Sequence, residues 1–125
     1  MELRVASANL NSLRGRKAEL EAVIAEGGYD AVLLQETKLC PQIPHIDTAV
    51  SGLHDLCRKD RSNNGGGVAA GIADCLDYRR LDLNEGELEL VGVELLPPRP
   101  YPAVCALSVY RWVFDWAASK AACIC

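Results

Sequence analysis

Apolar and polar positions change period along the chain, and the changes mark out elements. Leu3 and Val5 alternate with other residues up to Asn9, which is the period of a short strand. From Leu13 the period lengthens. Leu13, Leu20, Val23 and Ile24 fall on one helical face, while Arg16, Lys17, Glu19, Glu21 and Glu26 mostly occupy the other. Asn11 and Ser12 are helix N-cap types, and Gly27-Gly28 supplies a stop because glycine tolerates the left-handed cap. Ala31 to Leu34 is an unbroken apolar run, as expected of a strand buried on both faces. The opening therefore reads strand–helix–strand.

Residues 37–64 predict irregular structure, punctuated by Pro41, Pro44, Gly52 and Asn63-Asn64. Within them Arg58, Lys59 and Arg61 form a small basic cluster that reads as a solvated loop face ahead of a phosphate contact. Gly65-Gly66-Gly67 leads into a strand over Val68 to Ile72. Leu81 to Leu83 and Leu88 to Val93 flank Asn84-Glu85-Gly86 as a hairpin would. Four prolines between Pro97 and Pro102 form a loop, and Ala103 to Tyr110 is a last strand. The alanine-rich tail from Trp112 to Cys125 predicts a short helix with Trp112, Val113, Trp116 and Ala117 on one side. One helix followed by many strands points to an α+β sandwich of mostly antiparallel strands rather than a doubly wound parallel sheet.

Composition narrows the function classes. With 50% hydrophobic and 24% charged residues in 125, the chain is an ordinary globular domain rather than a disordered one. Its net charge of -4 repels phosphate backbones, so any nucleic-acid contact must come from a local basic patch or a bound cation. No apolar run approaches the ~18 residues of a membrane span. The opening lacks a secretory pattern, so the expected compartment is intracellular, nuclear or cytoplasmic, and the chain is not secreted. The six cysteines form no C-x-x-C pair and read as free thiols, with Cys105 a small buried hydrophobe.

The candidate chemistry is carried by few residues. Asn9 and Asn11 lie two apart at the end of the first strand, where they serve equally as turn and cap residues. Glu36 follows the buried strand, where a carboxylate suits a hard cation or simply faces solvent. Tyr110 ends the last strand. The glycine run offers amides to a phosphate or lets strands pack closely; no Gly-Lys-Ser/Thr follows it.

Taken in order, these residues resemble a known superfamily. Asn9-Leu10-Asn11-Ser12-Leu13, Leu34-Gln35-Glu36-Thr37-Lys38, Gly65-Gly66-Gly67-Val68 and Val109-Tyr110-Arg111 are similar to motifs of the endonuclease/exonuclease/phosphatase superfamily. The resemblance is closest to the apurinic-like endonuclease domain of non-LTR retrotransposons, and the Leu-Gln-Glu-Thr-Lys match is its most specific part. It spans residues 3–111 and implies the N-terminal part of a four-layered α/β/β/α sandwich, incomplete, with 112–125 an unrelated tail. It implies Glu36 as metal ligand for Mg²⁺ or Mn²⁺, weakly bound, Asn9 and Asn11 as amides supporting metal and phosphate, and Tyr110 as a tyrosine approaching the phosphate. The implied substrate is DNA, the implied reaction phosphodiester hydrolysis, and no membrane or defined protein partner is implied.

Departures qualify the enzyme reading. Ser12 stands where the family has glycine, and Trp112-Val113 follow Arg111 where it has prolines. The family's later Gly-Asp-Phe-Asn-type and Ser-Asp-His motifs are not found, and no histidine follows Tyr110. The chain therefore reads as an inactive part of a nuclease or, alternatively, as a non-catalytic binding protein that retains half of one. A missing second half should also leave apolar faces at Val91, Val93, Leu95, Leu107 and Val109 uncovered, which makes the isolated chain aggregation-prone in expectation.

Overall fold

A computed structural model describes residues 2–60, 66–83 and 89–110, and the backbone of 119–124. Strand β1 (Val5–Asn9), helix α1 (Leu13–Gly27) and strand β2 (Ala31–Gln35) form the expected opening unit, with β1 and β2 paired in parallel. The helix begins where a cap is available. Ser12 Oγ accepts the Gly15 amide at 3.1 Å, satisfying one of the orphan donors of the first turn. It ends at Gly28, which takes the left-handed conformation at φ 60° and donates its amide to Ile24 O at 3.1 Å.

A 3₁₀ turn (His45–Thr48) precedes β3 (Leu53–Lys59), β4 (Val68–Ala73), β5 (Asp77–Arg80), β6 (Glu89–Leu96), β7 (Val104–Tyr110) and β8 (Ser119–Ile124). They make two four-stranded sheets, ordered β1-β2-β4-β3 and β5-β6-β7-β8, antiparallel except for the β1–β2 pair. The class is mixed α+β with mostly antiparallel sheets and, among the described residues, one α-helix.

Strand β2 shows why its first four residues are apolar. Ala31 and Leu33 join Ile72, Val93, Leu95 and Ala106 in a cluster fed by both sheets. Val32 and Leu34 point the other way, into a cluster with Leu13, Leu20 and Ile24 of α1. With both faces covered over Ala31 to Leu34, a polar side chain there would lack a partner. Leu33 is 1% exposed, so Leu33→Ala would cost ~2–5 kcal/mol through lost transfer energy and a cavity shared by the two sheets.

Several expectations change. The stretch 37–64 contains β3, an edge strand beside β4 whose alternation is masked by a register shift between Leu53 and Asp55 and by its polar residues. Arg58 is not a solvated loop residue. Its side chain is 12% exposed, paired with Asp60 at 2.5 Å, and its guanidinium donates to Cys40 O at 2.9 Å and Ile43 O at 3.1 Å, tying down the preceding loop. Arg61 lies outside the described residues. The strand paired with β6 is β5, just before the expected Leu81 to Leu83, and the Leu81 amide continues the pairing by donating to Gly92 O at 2.9 Å; the expected turn at 84–86 and Leu88 lie outside the described residues. Val23 is exposed, at the edge of the helical stripe.

At the chain's end, Ser119–Ile124 is a strand paired with β7 rather than a helix, while 112–118 lie outside the described residues. Val91, Val93 and Leu95, expected on an uncovered face, are buried between the sheets; Leu107 and Val109, on the outer face, are half-buried. Among the described cysteines Cys57, not Cys105, is the buried one. Among the described residues no helix is long and apolar enough to cross a membrane.

Candidate functional site

The ends of β1, β2 and β7 meet at one edge of the two sheets. Asn9 pairs in register with Gln35, the last residue of β2. Gln35 is 2% exposed, and its amide donates to Ser108 Oγ of β7 at 3.0 Å. Ser108 Oγ in turn donates to Leu34 O at 2.7 Å. A buried side-chain amide costs free energy unless bonded, and here its bonds stitch the sheets together one residue before Glu36. Beyond that stitch Tyr110 Oη donates to Glu36 Oε1 at 3.3 Å. Tyr110 is buried and Glu36 half-buried, so a carboxylate stands at the rim with an apolar ring beneath it.

The backbone is strained at this edge. Among the described residues four non-glycines have positive φ: Asn11 at 51°, Ser12 at 118°, Glu36 at 52° and Lys38 at 54°. All four lie in the two loops that leave β1 and β2. A side chain in this region costs ~1–3 kcal/mol and persists only where its surroundings over-determine it. The surroundings here are a ladder between the loops. Leu10 N donates to Gln35 O, Ser12 N to Glu36 O and Leu13 N to Thr37 O, each at 2.9 Å. Asn9 and Asn11 are exposed and line a groove of about 270 Å³ between β1 and α1, together with Arg16 and Val23.

The glycine turn closes the same edge. Thr37 N donates to Gly67 O at 3.2 Å and Lys38 N to Gly66 O at 2.8 Å. Gly67 has φ 88°, and a Cβ there would stand 2.5 Å from Thr37 Oγ1, so only glycine fits. Thr37 Oγ1 is fully buried without a hydrogen-bond partner. The Gly67 amide is taken by Glu89 Oε2 at 2.8 Å and is not free to cradle phosphate. Neither Glu89 nor the Thr37 hydroxyl is marked as a site residue by its place in the sequence. Only register pairing, Glu89 opposite Tyr110 and Gln35 opposite Val68, brings them to Glu36.

A second polar cluster occupies the other end of the sheets. Tyr78 Oη donates to Asp55, whose carboxylate also accepts the Leu56 amide at 2.8 Å and faces His45 Nε2 at 3.3 Å. The Tyr78 hydroxyl holds the Asp55 carboxyl below its ordinary value, outweighing burial, and the Leu56 amide and His45 add to it. The same bond holds the Tyr78 phenol above its ordinary range, and burial pushes the Cys57 thiol up. In register Asp55 sits opposite Ile72, which pairs with Ala31, whereas Gln35 pairs with Val68. His45 is thus bound far from Glu36.

The structure brings together Glu36 and Tyr110 directly and puts Asn9 beside the base of Glu36 through register. Among the described residues no three His, Cys, Asp or Glu side chains form a group able to hold a metal. At this edge the Glu36 carboxylate and the Tyr110 hydroxyl are paired hard oxygen donors, which suits a cation that keeps most of its waters. No family model matches the chain, and no curated protein matches it.

Proposed function

We propose that the chain carries the metal-holding part of a phosphodiesterase site of the endonuclease/exonuclease/phosphatase type, within the first part of a four-layered α/β/β/α sandwich. Glu36 holds Mg²⁺ or Mn²⁺ weakly. Asn9, Asn11 and Tyr110 face the phosphate of a DNA substrate. The observation that supports this reading best is the strained Glu36 itself, a left-handed carboxylate at 3.3 Å from the Tyr110 hydroxyl. Strain of this kind inside a regular framework supports a functional reading because folding alone gains nothing from it. The cation would neutralise charge on a phosphoryl oxygen and on the leaving oxygen.

By this reading residues 1–125 are inactive alone. General acid–base catalysis typically contributes ~10²–10⁴-fold, and the chain offers no histidine at this edge: His45 is engaged by Asp55, and His54 lies beside Asp55 on β3. That observation also favours a second reading, a non-catalytic binding module. Calorimetry with Mn²⁺ and a plasmid-nicking assay test both. The first reading expects weak binding lost in Glu36→Gln and no nicking above background. Equal Mn²⁺ binding by wild type and Glu36→Gln rules it out, and nicking that disappears in Glu36→Gln shows that the missing motifs are dispensable.

A further inference from the structure

We infer that Glu89 is a positioning residue for Glu36, acting through the glycine turn; this rests on the metal-site reading above. Glu89 opens β6 directly opposite Tyr110, whose hydroxyl meets Glu36. Its Oε2 accepts the Gly67 amide at 2.8 Å, within ordinary hydrogen-bond length. Gly67 passes the restraint on: its carbonyl receives the Thr37 amide, and the Gly66 carbonyl receives that of Lys38. The segment so held is strained at both Glu36 and Lys38. Without an anchor on its far side it would relax toward ordinary φ, and the Glu36 carboxylate would swing from the Tyr110 hydroxyl.

The anchor has a defined shape. Gly67 lies against Thr37 too closely for any other residue, so the turn cannot be stiffened by its own side chain. An acceptor must come from outside, and the first residue of β6 supplies it from the opposite sheet. Glu89 therefore works as an oxygen acceptor at a fixed place, not as a second metal ligand. The distinction is testable because glutamine keeps the acceptor oxygen and loses the charge.

Three variants of the intact chain separate the possibilities, read by Mn²⁺ calorimetry and by hydrogen exchange at single amides. Outer partners of metal ligands typically contribute ~10–100-fold in affinity, so Glu89→Ala should weaken Mn²⁺ binding about tenfold. It should also speed exchange at Thr37 and Lys38 while the amides of β2 and β6 stay protected. Glu89→Gln should restore both properties close to wild type. Glu89→Gln binding as poorly as Glu89→Ala would overturn the proposal and make the charge a direct ligand. Unchanged affinity and exchange in Glu89→Ala would overturn it too, as would exchange rising uniformly through the sheets. Glu36→Gln that binds Mn²⁺ as wild type does, beside a Glu89→Ala that still loosens Thr37 and Lys38, would remove the metal reading and leave Glu89 as the anchor of the loop.

Discussion

Two tyrosine–carboxylate pairs cross from one sheet to the other, and they differ in every other respect. At one end Tyr78 of β5 reaches Asp55 of β3; at the opposite end Tyr110 of β7 reaches Glu36 just beyond β2. Asp55 sits in a strand, and its oxygens also meet the Leu56 amide and His45. Glu36 sits in a left-handed turn, and its bond to Tyr110 is long at 3.3 Å. A carboxylate whose acceptor sites are filled by the protein is a fastening. A carboxylate held in a costly conformation with acceptor capacity to spare is where a ligand has something to add.

Metal binding should separate the two pairs most strongly. Glu36→Gln should abolish Mn²⁺ binding in calorimetry, while Asp55→Asn, at the other pair, leaves it unchanged. Reversed outcomes would exchange the two roles. The next largest effect is on stability. Tyr78→Phe should cost ~1–2 kcal/mol in urea unfolding, because it strips a partner from an ionised acceptor. Tyr110→Phe, losing a longer bond at the rim, should cost less than about 1 kcal/mol.

Smaller effects sharpen the contrast. Glu36→Gly should stabilise by about 0.5–1 kcal/mol by relieving the positive φ, net of the extra freedom of the unfolded chain. Asp55→Gly should destabilise, since its strand conformation has no strain to release. The smallest effect is in pH. The Asp55 carboxyl lies below its ordinary 3.8, so its contribution is fully present above that value and is lost as pH falls through the lower folded one. The side chain is 36% exposed, so solvent screening keeps that contribution small. Wild type and Asp55→Asn should therefore converge in stability below pH 3.8. The raised Tyr78 phenol has the opposite sign: its contribution is present below its ordinary value of 10.0 and is lost as pH rises further, so Tyr78→Phe should approach wild type in strong alkali.

Much of the opening was legible because its signals are local. Ser12 and Gly28 cap the helix where their types suggested, and the apolar run of β2 is buried on both faces. β3 was not legible. A bulge shifts its register after Leu53, and His54, Asp55, Arg58 and Lys59 each find a use that depends on a distant partner or on solvent. The burial of Val91, Val93 and Leu95 on β6 was not legible for a related reason: which face of a strand meets the other sheet is fixed by how the sheets pack, and alternation alone does not choose a side.

For the candidate site the division falls between residue identity and geometry. The sequence by itself determined that Asn9, Asn11, Glu36 and Tyr110 stand at strand ends, since strand boundaries follow from short-range pattern and turn chemistry. It determined too that the chain carries no later histidine. Only the tertiary structure decided that Tyr110 reaches Glu36 across 74 positions of chain, that Gln35 and Ser108 fasten the sheets beneath them, and that Glu89 holds the Gly67 amide. These are pairings between strands, and their register is set by two faces of a shared core satisfied at once, a condition that no single stretch of sequence contains.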